Sequence, residues 1–279
     1  MEYYHVFQIQ VYFNSQFNNI RTPGDNACFN AASLLYRGSG IAQLGGTARP
    51  ASVLFQRGFG MLTTDPVSFN NCIFGIYADN STIDIQENRM TNVNTGIFER
   101  NASPFLQNYI LNNKITANNF GVQILDATFA SEVKVYFNEI TVNNTLGGGQ
   151  GNRAGVNVVQ NNLNFIPGRV AVRNNSIDVE NARFGINFSN ISNTDALDNI
   201  INLTATAIPT KTGIRHTSVN NHSTGCNVIN QLGSQANFGV FSLAALNTQI
   251  ECNITNDLNI GFRVSGNSSG MDFFRERDE

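Results

Sequence analysis

The sequence predicts an all-β chain wound as a right-handed parallel β-helix, a solenoid of coils about two dozen residues long. Three observations predict it. A glycine followed by an apolar residue returns eight times, as Phe74-Gly75-Ile76, Thr95-Gly96-Ile97, Phe120-Gly121-Val122, Ala154-Gly155-Val156, Phe184-Gly185-Ile186, Thr212-Gly213-Ile214, Phe238-Gly239-Val240 and Ile260-Gly261-Phe262. An asparagine between apolar residues precedes most of these glycines, at Asn88, Asn113, Asn138, Asn175, Asn199, Asn227 and Asn253. The asparagines are 25, 25, 37, 24, 28 and 26 residues apart. A constant motif at variable spacing is what results when loops of different length leave the same corner of successive coils.

The register of the asparagines assigns the rest of each coil. Three residues before them stand Ile85, Ile110, Val135, Val172, Ala196, Thr224 and Ile250; two residues after them stand Met90, Ile115, Ile140, Ile177, Ile201, Ile229 and Thr255. Strand side chains alternate faces, so these two mostly apolar columns define a stacked core and the positions between them face water. Asparagine at the corner both donates and accepts, so copies in neighbouring coils can bond one another in at least a partial ladder. An antiparallel sandwich would show Asn-Gly or Asp-Gly hairpins, and neither dipeptide occurs. Right-handedness follows from the preference of parallel crossovers.

The repeats cover residues 65–265. Residues 1–64 fit the register poorly and are expected to form irregular N-terminal coils or a cap, with strand pieces in 13–20 and 52–55 and a short helix over Asn30–Tyr36. Residues 266–279 are expected to be a charged C-terminal tail.

These landmarks resemble the right-handed parallel β-helix superfamily of pectate lyases, polygalacturonases and many bacterial surface proteins. The resemblance implies the fold over residues 65–265 and says little about function, because that superfamily hosts lyases, hydrolases, epimerases and non-catalytic adhesins. In its asparagine-rich, lysine-poor style the chain is most similar to repeat proteins exported to bacterial cell surfaces. That similarity implies an extracellular or cell-surface location.

Composition narrows the classes. Asparagine supplies 43 of 279 residues, and the charged fraction is 13%, about half the usual share. The net charge is −3 and the 17 Lys and Arg residues are scattered, so nucleic acid is not an expected partner. There is no apolar run of ~18 residues to cross a membrane. Met1 to Gln10 lacks the basic and apolar regions of a signal peptide, which leaves open whether the chain is part of a longer exported protein.

Candidate chemistry falls into outward columns. Four residues before each landmark asparagine lie Asp84, Tyr109, Lys134, Ala171, Asp195, Ser223 and Gln249, all facing outward. Two readings follow. The first is a non-catalytic extracellular module, structural, adhesive or glycan-binding. It would use the column two residues after the glycines, Tyr77, Phe98, Gln123, Asn157 and Asn187, with Arg215 and His216. Amides and aromatic rings suit sugar hydroxyls and ring faces. The second is a polysaccharide lyase or glycoside hydrolase acting through Lys134, Arg173, Asp195 and Asp198, where no adjacent column is expected to add a nearby carboxylate besides Asp198. Asn193-Thr194-Asp195 resembles the Asn-Thr-Asp of polygalacturonases, but the family's following glycine is Ala196 and its Asp-Asp, His-Gly and Arg-Ile-Lys motifs are missing.

His216 and His222 are expected to flank a loop with Lys211 and Arg215 that could cradle an anion. Two histidines without a third ligand propose no metal, and no cofactor is expected. Cys226 and Cys252 should stack in adjacent coils, with free core cysteines favoured over a disulfide. The longest insertions, 143–154 and 159–168, could wall a groove.

Overall fold

A computed structural model of the chain describes residues 2–4, 8–10, 16–18, 39–44, 51–55, 68–79, 81–102, 107–127, 132–143, 152–161, 168–204, 210–233, 237–274 and 277–278. The chain is a parallel β-solenoid: all regular structure among the described residues is strand, and every strand pairing is parallel. Each coil presents three faces. The first is a ten-stranded sheet that includes Ser81–Gln86, Gln107–Leu111, Glu132–Tyr136, Arg169–Arg173, Ser192–Leu197, Asn220–Gly225 and Leu246–Glu251. The second and third belong to an 18-stranded sheet, and Arg89–Arg100 and Lys114–Leu125 run through both without a break.

Both apolar columns face inward as expected, and every member is buried. Between them the chain turns through one residue in the left-handed conformation followed by the landmark asparagine. The left-handed position holds Glu87, Asn112, Phe137, Asn174, Asp198, Cys226 and Cys252, with φ from 52° to 58°. Only two of these seven are asparagine, so left-handed tolerance does not explain the conserved spacing of the residue that follows. Hydrogen bonding does. Each landmark Oδ1 from Asn113 to Asn253 accepts the side-chain amide (2.8–3.0 Å) and the backbone N–H (2.9–3.2 Å) of the preceding asparagine. Each Nδ2 from Asn113 onward also donates to the carbonyl three residues before the previous asparagine, as Asn175 does to Val135 at 2.8 Å. The expected partial ladder is complete over seven rungs.

The glycines answer to space. A Cβ on Gly155 would lie 2.4 Å from Ile177 Cγ2 and 2.8 Å from the Gly185 carbonyl, and the same two kinds of neighbour crowd Gly96, Gly121, Gly185 and Gly213. The third face therefore passes directly over the isoleucine of the next coil's second face.

Departures from expectation lie toward the ends. Ala51–Phe55, Ser39–Leu44 and shorter strands before them already pair in parallel with the repeats, and Gln16–Asn18 falls in the expected 13–20 piece. The helix expected over 30–36 lies outside the described residues. Within the expected charged tail, Asp272–Phe274 pairs with Leu246–Glu251 while its side chains stay exposed, and Arg277–Asp278 pairs with Ile254–Asn256. Unpaired parallel edges favour strand addition over a free tail.

Candidate functional site

The outward side of the first face changes character at residue 192. In Ser192–Leu197, Asn220–Gly225 and Leu246–Glu251 the second residue is an asparagine in the left-handed conformation: Asn193, Asn221 and Asn247, with φ of 56°, 54° and 46°. Gly270 continues the column at φ 62°, and its Cβ would meet Asn247 Oδ1 at 2.6 Å. The amides bond along the axis, Asn221 Nδ2 to Asn193 Oδ1 at 2.6 Å and Asn247 Nδ2 to Asn220 Oδ1 at 3.0 Å. These asparagines form one wall of a cleft of about 670 Å³. Along it runs the in-register row Asp195, Ser223, Gln249 and Asp272, with Arg169 at one end and Thr194 and His222 beneath.

Asp195 is the buried carboxylate of the cleft, 5% exposed. Arg173 grips it with two parallel bonds, Nε to Oδ1 at 2.7 Å and Nη2 to Oδ2 at 2.8 Å, and Arg169 adds a bond to Oδ2 at 3.2 Å. The Asp195 hydrogen bond holds the Arg173 pKa above its ordinary value. Arg169 also reaches Glu132 at 3.7 Å, and Glu132 pairs with Lys134 at 3.5 Å. Lys134, Arg173 and Asp195 thus do meet in successive coils of the first face, joined by two residues that sequence reasoning missed. Glu132 is the nearby carboxylate that no adjacent column was expected to supply. Asp198 stands apart, exposed in its left-handed corner.

The other expected column is in register but mostly buried, with only Gln123 and Arg215 half-exposed. Tyr77, Phe98, Gln123, Asn157, Asn187 and Arg215 pair in sequence along the third face. Tyr77, Phe98, Asn157 and Asn187 are nevertheless 2%, 8%, 4% and 5% exposed. Tyr77 and Phe98 stack at 4.9 Å within an apolar cluster with Ile73 and Phe74, and Asn187 Nδ2 bonds Asn157 Oδ1 at 2.8 Å. The insertions expected to wall a groove lie mostly outside the described residues.

His216 and His222 lie within strands on either side of the two-residue corner at Ser218 and Val219, and both are buried. His216 belongs to an inward column with Phe188 and Ser242, and His222 to one with Thr194 and Thr248. They join a buried chain: Thr194 Oγ1 meets His222 Nδ1 at 2.5 Å, His222 Nε2 meets Thr224 Oγ1 at 2.6 Å, Thr224 Oγ1 meets His216 Nε2 at 3.0 Å, and His216 Nδ1 meets Ser242 Oγ at 2.8 Å. Thr224 has one proton to donate, so at least one of the two rings must present an N–H to it, which ties the tautomers of the two imidazoles together. Lys211, expected beside them on an anion cradle, is buried and gives its ammonium to the carbonyls of Val179, Glu180 and Thr204. Burial lowers its pKa to about 8.

Burial holds both histidines neutral, lowering His222 to about 3 and His216 well below its ordinary value. The unfolded chain takes up these protons near pH 6.5 and the folded chain does not, so stability is full above ~6.5 and is lost as pH falls toward ~3. Each histidine is expected to contribute a slope of about 1.4 kcal/mol per pH unit in that window. Chemical unfolding from pH 7 to 4 should show that slope in the native chain and a flatter one in His216→Gln/His222→Gln. Equal slopes would refute it.

Among the described residues no three His, Cys, Asp or Glu side chains gather as a metal site, and no helix is long and apolar enough to cross a membrane. The chain matches no protein-family model and no curated protein. Among solved structures it is similar to a candidate glycosyl hydrolase from Parabacteroides merdae, at 8% identity over 60% of this chain and 83% of that one, with a TM-score of 0.38. It is also similar to the A-module of the mannuronan C-5 epimerase AlgE6 of Azotobacter vinelandii, at 11% identity over 84% of this chain and 74% of that one, with a TM-score of 0.25. Neither likeness is close enough to argue for a shared activity.

Proposed function

We propose that the chain is a non-catalytic glycan-binding module of the bacterial cell surface, holding a neutral polysaccharide in the first-face cleft. The observation that carries this reading is the cleft itself: amides and hydroxyls from successive coils line it, while its buried carboxylate has both oxygens committed to arginines. Such a surface offers many hydrogen-bonding groups and little uncompensated charge. The style of the repeats supports the location.

The hydrolytic reading is weaker on distance. Asp195 and Asp272 share one row but stand three coils apart, about 14 Å at the parallel-strand spacing, beyond the ~5–9.5 Å that paired glycosidase carboxylates span. Arg169 bonds to Asp195 and pairs at 3.7 Å with Glu132, occupying space that a water or sugar oxygen would need between them.

A glycan array with a parallel turnover assay tests the proposal. Expected is saturable binding to a neutral polysaccharide, weakened about 10-fold or more when Asn221→Gly and Gln249→Ala together remove two hydrogen-bonding side chains. Asp195→Asn should shift selection toward acidic polysaccharides, because it frees two guanidinium groups beside the cleft. New reducing ends or an unsaturated product, lost in Asp195→Ala, would instead establish the lyase or hydrolase reading.

A further inference from the structure

Cys226 and Cys252 occupy one corner in successive coils. Each stands immediately before a ladder rung, each is in the left-handed conformation (φ 52° and 56°), and the rungs they precede are bonded at 2.8 Å. The residues on either side are in register, Gly225 with Glu251 and Val228 with Ile254, and Cys226 N–H donates to the Glu251 carbonyl at 2.9 Å. Their Cα atoms are therefore about one parallel-strand spacing apart, ~4.8 Å, inside the range that disulfides take. Both side chains leave the corner from the same left-handed backbone conformation. Cys226 is exposed and Cys252 half-buried, whereas Cys72 is buried in the core. The expectation of core thiols thus fails for this pair.

We propose that Cys226 and Cys252 form a reversible dithiol–disulfide site that staples the last coils of the solenoid. The oxidant class is a small disulfide of the glutathione type. One cysteine thiolate attacks it, forming a mixed disulfide and releasing one thiol. The second thiolate attacks the protein sulfur of that mixed disulfide, forming the Cys226–Cys252 bond and releasing a second thiol. Two protein thiols are oxidised, one small disulfide is reduced, and the two protons end on the released thiols.

Reversibility follows from the fold. In-register side chains keep their Cβ atoms near the strand spacing, wider than the ~3.5–4.5 Å of a relaxed disulfide, so closure must draw the corners together. A bond closed against that resistance is readily reduced. Gly225, beside Cys226, carries no side chain to resist the movement. The thiols also sense each other, since burial first and then the neighbouring Cys252 raise the Cys226 pKa.

The test is peptide mapping of the intact chain after oxidised glutathione at a pH near the ordinary thiol value of ~8.5. Expected is a single cross-linked peptide joining positions 226 and 252, lighter by two hydrogen atoms and reversed by dithiothreitol. The oxidised form should unfold several degrees higher and resist proteolysis near its C-terminal coils. Cys226→Ser and Cys252→Ser should each abolish the cross-link while leaving the circular dichroism spectrum and the unreacted chain's melting unchanged. Two separate glutathione adducts, unreacted thiols, or a cross-link to another cysteine would overturn the proposal. None of these outcomes depends on whether the cleft binds a glycan.

Discussion

Asn175→Ala is expected to destabilise the solenoid by about 3–6 kcal/mol, one of the largest effects of any single side chain. Its amide donates to Asn199 Oδ1 at 2.9 Å, to the Val135 carbonyl at 2.8 Å and to the Arg173 carbonyl at 3.0 Å, and its Oδ1 accepts both N–H groups of Asn138. All seven landmark side chains are buried, so removing one leaves two or three polar groups without water to replace it, at about 1–3 kcal/mol each. The chain supplies its own control. On the second face Asn202 bonds Asp178 at 2.8 Å and accepts from Asn230 at 2.9 Å, lengths like those of the ladder, but these residues are only half-buried. Asn202→Ala should cost no more than about 1 kcal/mol, since water can take the vacated places. Chemical unfolding of both variants checks the contrast, and equal losses would mean that burial is not what gives the ladder its strength. Because each coil contacts only its neighbours, hydrogen exchange should accelerate first around the missing rung.

Glu99→Gln is expected to stabilise the chain, increasingly so as pH rises. Glu99 is fully buried in the inward column between Ala78 and Ile124, and among the described residues neither carboxyl oxygen has a hydrogen-bond partner. Burial raises its pKa from 4.5 to about 8. The folded state keeps a proton that the unfolded chain releases above ~4.5, so the stability this residue contributes is intact below ~4.5 and is lost as pH rises through about 8. That rise corresponds to about 4–5 kcal/mol at pH 8 and above. Glu99→Gln should match the native chain at pH 4 and exceed it by about that amount at pH 8.5. Glu99→Met should add about 1–3 kcal/mol more at every pH by removing the unsatisfied polar atoms. Thermal or urea unfolding at the two pH values decides it, and a pH-independent difference for Gln would show that Glu99 is not held protonated.

Much of this was legible in the ordered repeats, including some of what was misread. The third residue after six of the eight landmark glycines, Gly96 to Gly239, is Glu99, Ile124, Val158, Phe188, His216 and Ser242, which alternation turns inward because the second faces outward. His222 sits five before Asn227, on the same side as the inward column three before it. Strand alternation alone therefore places both histidines in the core, on either side of the corner between their strands. The wall of the cleft also had a signal: Asn193, Asn221 and Asn247 each stand six residues before a ladder rung, where earlier coils carry Thr82, Gln107, Glu132 and Arg169.

By itself the sequence determined the coil, its register and its core, because parallel stacking repeats one set of contacts and so writes them as a period. It likewise placed Lys134, Arg173 and Asp195 on one face. Only the tertiary structure decided what each position meets across coils. Whether Tyr77 and Asn157 lie open or covered, whether Asp195 is free or gripped by Arg173, and whether Cys226 is in the core or at a corner depend on the packing of aperiodic side chains. A repeat records what successive coils share, and sites are built where they differ.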